Sequence, residues 1–112
     1  MKNYVQNGNN VTMVAPYAVN AGDGLLVGSL FGVAQTTAAS GASVEAVVDG
    51  VVDLTKVSAQ AWATVGLLIY WDPAAKNATT TSTSNKLIGV NIATAQNPSA
   101  TGRVRLNGSF TQ

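Results

Sequence analysis

Side chains able to do acid–base, ligand or stacking chemistry are few in this chain. Glu45, Asp49 and Asp53 are spaced four residues apart. On an extended strand that spacing places all three on one face. A carboxylate row of this kind can hold a hard cation or act as an acid/base pair. The strand rise, however, sets successive members about 13 Å apart. One ion or one glycosidic bond cannot span that gap without groups from elsewhere. The row therefore reads as a solvated strand face that discourages edge pairing. Arg103 and Arg105 alternate near the C-terminal end. They could touch phosphate, but no aromatic residue is interleaved with them. Cross-strand pairing with the acidic row is the stronger expectation. Trp62, Tyr70 and Trp71 could form a stacking platform for a sugar or a base. In so small a domain large aromatics are more often core or interface.

The missing residue types exclude more. There is no Cys and no His. Disulfides, thiolate chemistry, zinc fingers and Ser-His-Asp triads are excluded together. Gly22-Asp23-Gly24 does not fit GxGxxG, and no GxxxxGK[ST] occurs, so no phosphate-cradling loop is present. No catalytic residue, cofactor or metal is expected. The chain has 112 residues, the size of one domain, and residues 1–112 are read as a single β domain. Apolar residues make up 46% and charged residues 10%, against a usual ~25% charged. The net charge of +1 is too weak to argue for nucleic acid or an anionic membrane as a partner. The surface must then be built from Thr, Ser, Asn, Gln, Ala and Gly. It is either simply neutral and polar, or partly covered by other copies or a partner. No apolar stretch approaches the ~20 residues of a membrane-spanning helix. Met1 to Gly8 has no apolar core of the secretory type.

The elements that must position these residues are short strands. Ala21 to Ala34 contains two apolar runs, Leu25 to Val27 and Leu30 to Ala34, around Gly28-Ser29. Gly at the first central position predicts a type II′ hairpin with Val27 facing Leu30. Ahead of it, Val11, Met13 and Ala15 alternate with polar or outward positions, and Pro16 ends that strand. Val44, Ala46, Val48, Val52 and Leu54 share one parity; Glu45, Asp49 and Asp53 share the other. A hairpin at Asp49-Gly50 would bury Asp53, at a cost of several kcal/mol. Residues 43–54 are therefore expected as one long strand with a weak point at Gly50. The 55–64 stretch is expected as a helical turn or irregular loop anchored by Trp62. The run 67–71 predicts a strand covered on both faces. Residues 78–84, rich in Thr, read as an exposed strand. In 87–93, Ile88, Val90 and Ile92 are expected to point one way. Val104 and Leu106 face in while Arg103 and Arg105 face out. About eight short strands at regular turn spacing predict an all-β barrel or sandwich with a short helical turn. Residues 1–9 are polar and read as an N-terminal arm.

The ordered set of local sequences resembles a known family. It comprises Asn3 to Gly8, Ala15-Pro16-Tyr17-Ala18-Val19, Gly22 to Ala34, Gly50-Val51-Val52-Asp53-Leu54 and Gln60-Ala61-Trp62. It continues through Leu68-Ile69-Tyr70-Trp71-Asp72, Ile88-Gly89-Val90 and Gly102 to Gly108. This set is similar to the capsid cement, or head decoration, proteins of tailed phages. Members of that family have often carried the label of a predicted RecA/RadA-type phage recombinase. That label fails on chemistry, because such an ATPase needs a P-loop and a core about twice this size. The resemblance implies a β domain on the outer surface of the phage head, assembled in the host bacterial cytoplasm. Its partners would be the major capsid protein and copies of itself. A homotrimer suits local three-fold positions and a dimer suits two-folds. Candidate capsid or subunit contacts are Tyr4 and Val5 of the arm, with Tyr17, Trp62 and Trp71. The arm could add a strand to a capsid edge, or pack on its own domain or a neighbouring copy. A different reading is a tail or surface module that binds host glycans through Trp62 or Trp71. The neutral Thr/Ser run at 79–84 departs from the family pattern and leaves the outer surface chemistry open.

Overall fold

Gly28 opens the central hairpin at a φ of 60°, and Val27 stands opposite Leu30 across the two-residue turn. Glycine adopts that left-handed conformation without steric cost. The computed structural model describes residues 10–107, which form nine strands and no helix. They are β1 (Asn10–Val14), β2 (Gly24–Val27), β3 (Leu30–Ala34), β4 (Ser43–Val47), β5 (Asp49–Thr55), β6 (Leu68–Asp72), β7 (Asn77–Thr79), β8 (Lys86–Asn91) and β9 (Thr101–Asn107). One sheet has the order β1-β4-β3-β2 and the other β5-β9-β8-β6-β7. Every ladder is antiparallel. The second sheet curls until its outer strands meet. Lys56, just past β5, bridges Ala78 of β7, and Val57 N–H donates to Ala78 O at 3.0 Å. The architecture is the expected all-β, barrel-like class.

The chain crosses between the sheets at Val48. The expected single strand over 43–54 is instead two strands, β4 and β5, in different sheets. The break falls at Val48 rather than Gly50, and the Val48 side chain is buried in the cluster of the first sheet. Gly50 sits inside β5 with a φ of 97°. No hairpin forms at Asp49-Gly50, and the parity runs through the break. Val44, Ala46, Val48 and Leu54 are buried while Glu45, Asp49 and Asp53 are exposed.

Two apolar clusters result. Met13, Ala15, Val19, Leu25, Ala34, Ala38, Val44, Ala46 and Val48 form one, beneath the loops on either side of the hairpin. Phe31 and Val33 join the second, with Leu54, Trp62, Ile69, Trp71, Ala78, Ile88, Val104 and Leu106. Alternate residues of β3 thus enter different clusters, so the hairpin joins the two halves of the core.

Three local expectations are corrected and one choice is decided. The 55–64 stretch is the irregular loop anchored by Trp62, not the helical turn. Its backbone partners are distant in sequence: Lys56 N–H donates to Ala100 O at 2.9 Å, and Trp62 exchanges bonds with Ala95 at 2.9 and 3.0 Å. Burying Trp62 outweighs a modest helix propensity. The 67–71 run is covered on one face: Ile69 and Trp71 are buried but Leu68 is exposed. The expected exposed strand at 78–84 shrinks to β7, whose Ala78 and Thr79 are buried. Gln60 Oε1 then accepts from Thr80 N–H at 2.9 Å and draws the chain away from the sheet. In β8 the register shifts from Ile69↔Gly89 to Tyr70↔Leu87, so Ile88 is an extra residue and a bulge. Ile88 and Asn91 are buried as a result, and Ile92 is turned outward.

A side chain at Gly102 would collide with the Trp62 ring, since an added Cβ lies 2.1 Å from its nearest ring carbon. Gly102→Ala is expected to lower the unfolding free energy by about 2–3 kcal/mol. Denaturant titration followed by tryptophan fluorescence measures it; an unchanged midpoint contradicts this packing.

Candidate functional site

The acidic row does not survive folding as one row, because Glu45 lies in the first sheet and Asp49 and Asp53 in the second. Each carboxylate has its own local donor. Glu45 accepts from the Thr12 hydroxyl on the neighbouring strand. Asp49 Oδ1 accepts from Gly50 N–H at 2.8 Å. Asp23 Oδ2 accepts from Asn20 N–H at 2.9 Å. Asp72 Oδ1 accepts from Ala74 and Ala75 N–H at 3.0 and 3.1 Å and closes the turn between β6 and β7. No group of three or more acidic residues among the described residues could hold a metal ion.

Asp53 meets Arg103 directly across the β5–β9 ladder. Arg103 Nε donates to Oδ1 at 2.9 Å and its terminal nitrogen to Oδ2 at 3.2 Å, a two-point fork. That hydrogen bond, opposed by slight desolvation and aided by the guanidinium charge, holds the Asp53 carboxyl below its usual range. The expected pairing of the arginines with the acidic row is thus found for Arg103. Arg105 lies opposite Val51 instead. A hollow of about 460 Å³ beside the pair is lined by Asp53, Thr94, Gln96, Ser99, Thr101 and Arg103, among others. It is open and polar, and no acid, base and nucleophile converge in it.

Both tryptophans are core. Trp62 is 0% exposed and Trp71 2%. The Trp62 indole N–H donates to Gln60 Oε1 at 2.9 Å, and the Trp71 ring tilts against Phe31 with centroids 5.1 Å apart. Neither ring offers a face to a sugar, a base or a partner, so the stacking platform of the glycan-binding reading is absent. Tyr70 is half-buried. Tyr17 is half-buried too. Its hydroxyl donates to Gly24 O at 2.6 Å, and Lys76 Nζ lies 4.3 Å from its ring centroid. Burial, reinforced by the Asp23 charge, raises the Tyr17 pKa. Tyr4 and Val5 lie outside the described residues.

Two polar residues inside the fold escaped the sequence pattern. Lys56 is buried, and its ammonium donates to Val57 O, Gln96 O and Ser99 O at 2.9, 3.3 and 3.5 Å. Desolvation lowers its pKa. The cation pins the 96–99 loop to the end of β5. Asn91 is fully buried; its amide accepts from Leu67 N–H and donates to Thr64 O, both at 2.7 Å. Both residues satisfy irregular backbone, a need that periodicity does not reveal.

These features define a small β domain whose titratable side chains serve mainly its own structure. A family model described as phage cement protein matches residues 5–106, nearly the whole chain. The chain belongs to the phage cement protein family, whose role is structural and whose place is the virion capsid. No curated protein and no solved structure is similar enough to match it.

The Asp53–Arg103 fork carries a pH signature. The native pKa lies below the unfolded value near ~3.9, so the unfolded chain protonates first as pH falls. The fork's contribution is complete above that value and is lost as pH drops through the lowered native one. Thermal midpoints of wild type and Asp53→Asn are expected to differ most near neutrality and to converge below about pH 4. A difference that persists unchanged in acid contradicts the assignment.

Proposed function

We propose that the protein binds the outer surface of the mature phage head and stabilises the shell. The observation that carries this reading is the family match over residues 5–106. The fold agrees with it: the described residues pack into two buried clusters, and their carboxylates accept hydrogen bonds within the chain. Such a molecule acts by shape and apolar contact rather than by turnover. The partner in this reading is the major capsid protein. Copies of the chain associate as a homotrimer on local three-fold positions, and assembly takes place in the host bacterial cytoplasm. A ligand that binds the mature shell and not its precursor stabilises the mature state by RT ln(1 + [L]/Kd), about 2.7 kcal/mol per site at a hundredfold excess over Kd. Many sites multiply that effect. Selectivity for the mature head requires surface exposed only there.

Within this reading the arm is a contact, with Tyr4 and Val5 adding a strand to a capsid edge. Tyr17 is a further contact, because part of its ring stays accessible. Heads purified without the protein are expected to take up wild type on co-sedimentation and then to resist heat or chelation better. Deleting residues 1–8 is expected to lower occupancy markedly. Unchanged occupancy defeats the arm contact, and no uptake of wild type defeats the proposal itself.

A further inference from the structure

Trp71 is the exception among the buried polar groups. Its side chain is 2% exposed. Its indole N–H is the one buried side-chain nitrogen or oxygen, among the described residues, that has no hydrogen-bond partner. The other indole, of Trp62, has Gln60 Oε1 at 2.9 Å. A buried donor without an acceptor is costly, and folds keep few of them. The far end of the Trp71 ring packs on Gly24, where an added Cβ would stand 2.7 Å from a ring carbon, and on Phe31. That packing fixes the ring and with it the direction of the N–H.

Trp71 also lines a small hollow of about 120 Å³ with Tyr17, Asp23, Gly24, Thr55 and Lys76. The hollow lies at the seam of the two sheets: Gly24 begins β2, Thr55 ends β5, and Lys76 sits between β6 and β7. Its volume is well above the ~15 Å³ that one water needs. Lys76 and Thr55 are exposed at its mouth, and the indole is buried at its base. Three groups can donate: the Trp71 N–H, the Lys76 ammonium and the Thr55 hydroxyl. Asp23 can accept, since Asn20 N–H occupies only its Oδ2. Lys76 has no carboxylate within ion-pair distance among the described residues, and its ammonium lies 4.3 Å from the Tyr17 ring centroid.

We propose that this hollow binds a carboxamide, with its oxygen on the Trp71 N–H and the Lys76 ammonium and its NH₂ group on Asp23. Charge selects the class. The Lys76 and Asp23 charges cancel, so a neutral polar group enters without net repulsion. A carboxylate would satisfy the indole but stand beside the Asp23 carboxylate. An ammonium would satisfy Asp23 but meet Lys76 and leave the indole donor unpaired. Lys76 and Asp23 stand beyond ion-pair distance, so donor and acceptor on separate atoms span them better than a single hydroxyl oxygen does. The carboxamide belongs either to a small free amide or to an Asn or Gln side chain of a docking protein. Either way the indole takes part through its N–H edge and not through its ring face.

Isotope-labelled protein is titrated with acetamide, acetate and ethanol while its two indole N–H resonances are followed. Acetamide is expected to shift the Trp71 signal and saturate in the millimolar range. Trp62, already bonded to Gln60, should stay in place and serves as the internal control. Acetate and ethanol are expected to shift the Trp71 signal less. Lys76→Met and Asp23→Asn are each expected to weaken acetamide binding about tenfold. Their thermal midpoints should stay close to wild type, because Lys76 is exposed and an Asn amide oxygen can still take the Asn20 N–H. If one variant does not fold, the other carries the comparison. A Trp71 signal that acetamide leaves unmoved overturns the inference, and is the result expected if water alone serves the indole. A response no larger than that to acetate or ethanol, or undiminished in every folded variant, overturns it too. Where acetamide binds as expected, uptake of the two variants by phage heads separates the sources. Lowered occupancy assigns the carboxamide to a shell protein, and unchanged occupancy assigns it to a small free amide.

Discussion

The five-stranded barrel depends on the burial of one indole ring. Trp62 enters from an irregular segment and lies against Gly102, where β9 has no side chain in its way. Gln60 takes its N–H, and Ala95 pairs with its backbone. The two long connections, 56–67 and 92–100, are thereby fastened to each other across the core. Lys56 completes the fastening, with its ammonium 5.8 Å from the ring centroid and on three carbonyls. Strand pairing alone would leave these connections loose, since a few isolated bridges order little backbone.

Charge is handled the same way. A chain with 10% charged residues has few carboxylates, and each closes a turn, caps a strand end or meets a neighbouring strand. The outer face of the five-stranded sheet sets exposed valine and leucine among Asp49, Asp53, Arg103 and Arg105, whose charges balance. A rigid neutral face suits binding in many copies, because little conformational entropy is lost on docking and like charges do not repel along a lattice. The burial of both tryptophans sharpens the point: the two indoles hold the domain together.

Much of the fold was legible along the chain. The hairpin at Gly28-Ser29, the inward parity of Val44 to Leu54, and the alternation of Arg103, Val104, Arg105 and Leu106 follow from local period and turn chemistry. The Asp53–Arg103 pairing was legible as a charge pattern, though not its register. The crossing at Val48, the bulge at Ile88 and the turn beyond Thr79 were not. Each is set by a partner far along the chain: the core around Val48, Ile69 across the ladder, and Gln60. The hollow beside Trp71 was equally hidden, because Gly24, Thr55 and Lys76 meet there only across the seam of the two sheets.

By itself, then, the order of residues determined that this is a β protein without histidine or thiol chemistry, which faces its strands turn inward, and which family it resembles. Period and composition act over a few residues, so they are fully written in the chain. The tertiary structure alone decided that the tryptophans are core, that Lys56 and Asn91 are buried, and that one arginine has a carboxylate while the other has apolar neighbours. Those outcomes depend on register between distant strands, and register is chosen by the packing of the whole core at once.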